Sequence, residues 1–196
     1  MLILKKDINS LTEEEYDEVI SRIPQKKVNE ISVLRREDDK KRSVCGCLLA
    51  FRALGEFLGC DEKNVTFSYD ENGRPVSENA FLSISHAGDF AVCAVSDKPV
   101  GIDAEVLRRI KPRAALRVCT ENELRYIFGE NADRDNLPDE ADEETSLRFL
   151  EIWTKKEAYG KMLGCGILYE MDKTDVSHIK TKREGNLIIS FTQKEV

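Results

Sequence analysis

Gly101-Ile-Asp-Ala-Glu105 and the segment that answers it, Trp153-Thr-Lys-Lys-Glu-Ala-Tyr-Gly-Lys161, decide how this chain is read. The first continues an apolar run (Phe90–Val95, Val100–Ile102) interrupted only by Asp97-Lys98-Pro99, which predicts a β-strand. Side chains alternate faces along a strand, so Asp103 and Glu105 project to the same side, about 7 Å apart (two rises of ~3.3 Å). The second segment lies in a helical pattern where Trp153, Glu157 and Lys161 are spaced i, i+4, i+8 and share one face. If that face meets the strand, three carboxylates converge beside a lysine: a hard-cation site next to an anion clamp.

The whole-chain numbers set the frame for that site. At 196 residues, with 41% hydrophobic and 34% charged, the sequence is that of a soluble globular protein with one good-sized core or two small, tightly joined halves. No run approaches the ~18 apolar residues of a membrane span. Met1-Leu-Ile-Leu-Lys-Lys6 lacks a signal peptide's apolar core and cleavage site, so the cytoplasm is the expected location, with no membrane partner. Cys45, Cys47, Cys60, Cys93, Cys119 and Cys165 form no C-x-x-C pair, and only His86 and His178 could join them. That argues against zinc and for thiols packed as small apolar groups. A net charge of −7 argues against nucleic acid as the main partner.

Outward from the anchor, the N-terminal part predicts a short strand at Leu2–Lys5 and a helix over about 11–23, introduced by Ser10-Leu-Thr-Glu-Glu and stopped at Pro24. Lys26, Lys27, Arg35, Arg36, Lys40, Lys41 and Arg42 then form a basic stretch ahead of an apolar helix of about Arg42–Leu58, ended by Gly59. As a charge run it reads first as a solvated helix face. With Ser43 it is also a set of groups that could hold a phosphate. Val65–Tyr69 reads as a strand, Asp70-Glu-Asn-Gly-Arg-Pro75 as a turn carrying Arg74, and Phe81–His86 as a strand with Ser83, Ser85 and His86 near its end. Neighbours on a strand face opposite ways, so Ser85-His86 is not a catalytic couple.

Beyond the anchor strand, Leu107–Arg117 carries Arg108, Arg109, Lys111, Arg113 and Arg117. Thr120-Glu-Asn-Glu123 is a capping-box pattern opening a helix to about Phe128, which gives Glu123 a structural reading. Gly129–Glu144 is acidic and apolar-poor and reads as an exposed, mobile loop. A helix over about Ser146–Leu163 ends at Gly164 and Gly166, and Leu187–Thr192 is a closing strand. Gly160 inside that helix costs ~1 kcal/mol against alanine, which suits a close approach there. Glu56-Phe-Leu-Gly-Cys60 and Lys161-Met-Leu-Gly-Cys165 end their helices alike, which fits two similarly built halves.

Four motifs, in order, are similar to those of the Sfp-type 4'-phosphopantetheinyl transferases. They are Asn72-Gly-Arg-Pro75, Leu82-Ser-Ile-Ser-His-Ala87, Gly101-Ile-Asp-Ala-Glu105, and Trp153–Lys161 with trailing Gly164-Cys-Gly166; the basic stretch Leu34–Ser43 extends the likeness toward the N-terminus. The resemblance implies an α+β fold of two pseudo-symmetric halves, 1–100 and 101–196, each a small antiparallel sheet packed with a long helix. It implies a monomer that moves 4'-phosphopantetheine from coenzyme A to a serine of an acyl-, polyketide- or peptidyl-carrier protein, with Mg²⁺. Asp103, Glu105 and Glu157 would hold the metal against the pyrophosphate, which Lys161 would also contact. Arg74, Ser85 and His86 would hold the 3'-phosphate and adenosine end, completed by Lys26, Arg42 and Ser43. Glu157, Glu123 or a metal-bound water would take the serine proton. An acidic carrier is expected to dock near Arg108–Arg117. The turn departs from the family's more usual Gly-Lys-Pro, Arg74 offering a planar fork in place of a point charge, and Ala104 stands where a larger aliphatic is usual. The rival readings are a non-catalytic coenzyme A or nucleotide binder on the same scaffold, a metal-dependent phosphohydrolase, and a purely structural one in which Asp103 and Glu105 are exposed strand carboxylates and Trp153 and Tyr159 are core.

Overall fold

A computed structural model describes residues 1–165 and 171–194, so Gly166, expected near the end of the long C-terminal helix, lies outside the described residues. The chain opens with strand β1 (Leu2–Asp7) and helix α1 (Glu13–Arg22), whose Thr12 and Glu15 complete a capping box. Helix α2 (Gln25–Ser32) follows Pro24, and α3 (Glu37–Leu58) begins five residues before the expected Arg42. The early start has a physical cause: Glu37, Asp38 and Asp39 fill the first turn, where negative charge suits the helix dipole.

Val65 and Phe67 do not extend a strand; pairing is confined to β2 (Ser68–Tyr69) and β3 (Pro75–Val76). Both side chains are nonetheless buried, with the Phe67 ring 4.8 Å from that of Phe51 on α3. Burial without a neighbouring strand leaves the apolar pattern but no ladder. Next come β4 (Phe81–Ala87), β5 (Phe90–Ser96) and β6 (Val100–Val106). Helix α4 (Glu121–Phe128) carries the expected capping box of Thr120 and Glu123, and α5 (Glu143–Leu163) is capped by Asp142. The strands β7 (Lys180–Glu184) and β8 (Leu187–Gln193) close the chain.

The two halves share one plan: a strand, a long helix, then a hairpin whose second strand pairs with the first. Sheet order is β1-β5-β4 in one half and β6-β8-β7 in the other, all antiparallel. Both hairpins turn through two residues, Gly88-Asp89 and Gly185-Asn186, with the glycine at positive φ (54° and 60°). Asp7 faces Phe90 as Val106 faces Leu187, and the next amide bonds the turn alike: Ile8 to the Asp89 carbonyl and Leu107 to that of Asn186, each at 2.8 Å. Both long helices end in a left-handed glycine, Gly59 and Gly164.

Helix α3 packs on one face of the first sheet through Leu48, Phe51, Leu54, Leu82 and Cys93. Helix α5 covers the outer face of the second sheet. The inner faces meet over Val92, Ala94, Ile102, Ala104, Leu187 and Ile189. Gly101 lets β6 reach α5 directly: a Cβ there would stand 2.7 Å from the Met162 amide nitrogen and nearer still to the Ala158 carbonyl oxygen. Among the described residues no helix is long and apolar enough to cross a membrane.

Candidate functional site

The strand–helix contact at Gly101 brings the two anchor segments together. Asp103 is 7% exposed and Glu157 6% exposed, while Glu105 is half-buried. Asp103 Oδ1 accepts the Ser85 hydroxyl and the Lys161 ammonium, both at 2.8 Å. Lys161 also donates to the Ile84 carbonyl at 3.3 Å. Arg108 reaches Glu105 at 3.4 Å.

Glu157 is the group left over. Its Oε1 is buried with no hydrogen-bond partner among the described residues. Burial pushes its pKa up to about 7, with the Asp103 and Glu105 charges adding to the rise and Lys161 opposing it. Burial likewise raises Glu105. Three carboxylates crowd one spot against a single lysine and a peripheral arginine. Among the described residues, however, no three His, Cys, Asp or Glu side chains already stand at the geometry of a bound ion. What fits a cation is the donor set: oxygen ligands only, with one desolvated carboxylate oxygen lacking a partner.

Glu123 is engaged elsewhere. Its Oε2 accepts the Thr120 amide at 2.7 Å and the Lys156 ammonium at 2.6 Å. Lys156 is buried to 2% exposure and also donates to the carbonyls of Val118 and Met171. It was not singled out in the sequence. The available signal was its place on the apolar stripe of α5, four residues after Ile152 and seven after Phe149.

A second cluster adjoins the first, one residue further along β4 than Ser85. His86 keeps an exposed edge, but lost hydration holds its pKa below the ordinary value, and the charges of Lys161, Arg42 and Lys27 push the same way. Arg42 donates to the Gly88 carbonyl at 2.6 Å and pairs with Asp39, tying α3 to the β4–β5 turn. Helix α2 turns Lys27 toward this cluster, also placing its ammonium 5.1 Å from the Tyr69 ring centroid; Lys26 is exposed. Ser43 sits half-buried on α3, one residue after Arg42. A cleft of about 270 Å³ lies beside Lys161, lined also by Arg74, Pro75, Ser83, Ile84 and Gly160. The Asp70 carboxylate shapes the turn that aims Arg74, accepting the amides of Asn72 and Arg74, and the arginine fork lies against Gly164. Lys161 thus joins the carboxylate cluster to a cleft that Arg74 also lines.

A larger cavity of about 780 Å³ lies apart from this cleft. Arg109, Lys111 and Arg113 face it from one side, and Asp135, Asp139 and Glu140 from the other.

Residues 99–195 match the 4'-phosphopantetheinyl transferase superfamily model, and residues 10–98 match that of the 4'-phosphopantetheinyl transferase N-terminal region. The chain is 35% identical over 130 residues to the 4'-phosphopantetheinyl transferase gsp of Aneurinibacillus migulanus, covering 66% of this chain and 51% of that protein. It is 30% identical over 134 residues to psf-1 of Bacillus pumilus, a protein of the same description, covering 67% and 53%. Against Sfp of Bacillus subtilis it is 27% identical over 169 residues, covering 85% and 71%. The chain spans about half the length of the first two of these relatives.

Proposed function

The chain belongs to the 4'-phosphopantetheinyl transferase superfamily, and from that premise we propose that it transfers the 4'-phosphopantetheine group of coenzyme A to a serine of an apo carrier protein, releasing 3',5'-ADP. The observation that carries this reading is the buried, partnerless Oε1 of Glu157 beside Asp103, Glu105 and Lys161. Such a site is unfavourable empty and suits an incoming cation with its anion. Mg²⁺ held by Asp103, Glu105 and Glu157 would neutralise charge on the pyrophosphate and make the bond to the leaving nucleotide easier to break.

The remaining work falls to side chains. Lys161 contacts the same pyrophosphate from the strand–helix seam. Arg74, His86, Arg42, Ser43 and Lys26, with Lys27 added by the fold, form the basic end that takes the 3'-phosphate and adenosine. The carrier serine oxygen attacks the β-phosphorus as the bond to the α-phosphate oxygen breaks, and the serine proton passes to Glu157. Glu123, held by Thr120 and Lys156, is the less suited acceptor. The carrier docks beside Arg108–Arg117, its acidic surface meeting those cations. The division at residue 100 and a cytoplasmic monomer belong to the same reading.

The test is to mix the protein with coenzyme A, Mg²⁺ and an apo carrier protein and weigh the carrier intact. The expected result is a gain of one phosphopantetheine that EDTA and Asp103→Ala each abolish. Tight coenzyme A binding with no gain across several carriers would replace this reading with a non-catalytic binder. Loss of phosphate from coenzyme A without any acceptor would indicate a hydrolase.

A further inference from the structure

The free edge of β6 does not meet β4 as a backbone ladder. Two serines of β4 take its amides instead. The Ser83 hydroxyl accepts the Ile102 N–H at 3.1 Å, and the Ser85 hydroxyl accepts the Ala104 N–H at 3.3 Å. Both serines are buried, at 5% and 8% exposure, and together they grip the backbone on either side of Asp103. Ser85 does one thing more, spending its single O–H on Asp103 Oδ1 at 2.8 Å.

We infer that Ser85 is a positioning residue for the Asp103 carboxylate rather than a contact for the 3'-phosphate, with Ser83 fixing the same stretch of strand from the other side. The inference rests on the transferase reading above. A hydroxyl has one proton to donate. A phosphate dianion needs donors, and the only side-chain donor Ser85 owns is already committed to Asp103. With Ser85 and Lys161 both on Oδ1, Oδ2 is the oxygen left for a cation. The same hydroxyl, bound through its lone pair to Ala104, cannot follow a phosphate without releasing the strand. The 3'-phosphate then falls to His86, Arg42 and Lys27, which already stand together.

Three binding measurements on the full chain separate the two roles. The first is Mn²⁺ affinity, read from the spin-resonance signal of free Mn²⁺. The second and third are calorimetric affinities for coenzyme A and for 3'-dephospho-coenzyme A. Ser85→Ala is expected to weaken Mn²⁺ binding about tenfold or more, as loss of a hydrogen bond behind a metal ligand does, while leaving the preference for coenzyme A over its dephospho form unchanged. Ser85→Thr, which keeps the hydroxyl, restores wild-type Mn²⁺ binding. If the alanine chain fails to fold, Ser85→Cys takes its place with a smaller loss of Mn²⁺ affinity expected. A collapse of the preference toward one, with Mn²⁺ affinity intact, would overturn the inference and make Ser85 a phosphate contact. The wild-type chain is measured first: failure to bind coenzyme A at all would overturn the transferase reading and this assignment with it.

Discussion

The two halves repeat one plan so closely in register that their residues can be matched one for one, and the match shows where they part. Counting from the shared hairpin turns, Leu4 and Lys6 of β1 stand where Asp103 and Glu105 stand in β6. Counting back from the left-handed glycines, Arg52 of α3 stands where Glu157 stands in α5. The N-terminal half closes its own charges: Glu15 of the α1 capping box pairs with Lys6 at 3.1 Å and Arg52 at 2.8 Å. In the C-terminal half the capping-box glutamate is drawn to Lys156 instead, and the carboxylates are left with too little positive charge. The strand edges differ too. Ser83 and Ser85 seal β4 against β6, whereas the matching positions of β7 carry Lys180 and Lys182, the kind of charge that guards an open edge. One architecture thus supplies both a helix–strand seam whose charges are paired and one whose carboxylates are not.

The largest expected break in this comparison is Gly101→Ala. The added carbon would run into the backbone of α5, which cannot step aside as a side chain can. A loss of about 3–5 kcal/mol in urea unfolding is expected. Leu2→Ala at the matching position of β1 should cost about 1–2 kcal/mol, because a half-buried side chain is merely shortened there. A Gly101→Ala protein as stable as the wild type would mean that strand and helix do not touch in this way.

Next comes the contrast between the two capping-box ion pairs. Lys156→Ala removes a buried side chain, leaves the half-buried Glu123 without its ammonium partner and should cost about 3–4 kcal/mol. Arg52→Ala removes a side chain that is 37% exposed and should cost at most about 1 kcal/mol. Equal losses in the same urea series would erase the distinction between the halves.

The smallest effect is the pH dependence of the metal-free protein. Glu157 holds its proton to a higher pH when folded than when unfolded. Its contribution to stability is therefore fully present below the ordinary glutamate pKa of 4.5 and is lost as pH rises through about 7. After allowing for water at the cleft mouth, this is about 1–2 kcal/mol between pH 4.5 and 8. Glu157→Gln should flatten that slope in thermal melts. A wild-type slope of the same size that persists in the variant would assign it to other groups.

The carboxylate face and the helix that meets it were legible because both are local: alternation in Gly101–Glu105 and a four-residue repeat in Trp153–Lys161 each fit within one element. The N-terminal edge of α3 was not, because its first turn is charged and the apolar pattern begins only later. Strand β7 was invisible for a related reason. Lys180-Thr-Lys-Arg-Glu184 lacks the alternation of a half-buried strand and is held by pairing with β8. The Glu123–Lys156 bond joins residues 33 apart, and the Ser83 and Ser85 bonds join two strands through side chains. Such bonds follow from how the halves dock, which no single window of sequence contains.

The matched helix ends carry one more consequence. Each left-handed glycine is followed by a cysteine, and Cys60 and Cys165 are exposed while Cys45, Cys47, Cys93 and Cys119 are buried. Burial also drives the thiols of Cys45 and Cys119 up, to about 11 and about 12, leaving them poor nucleophiles. The chain therefore offers one exposed thiol on each half, at corresponding points. A pair of maleimide-linked fluorophores would sit there without engineered sites and would report, as energy transfer, any change in the distance between the halves on addition of coenzyme A.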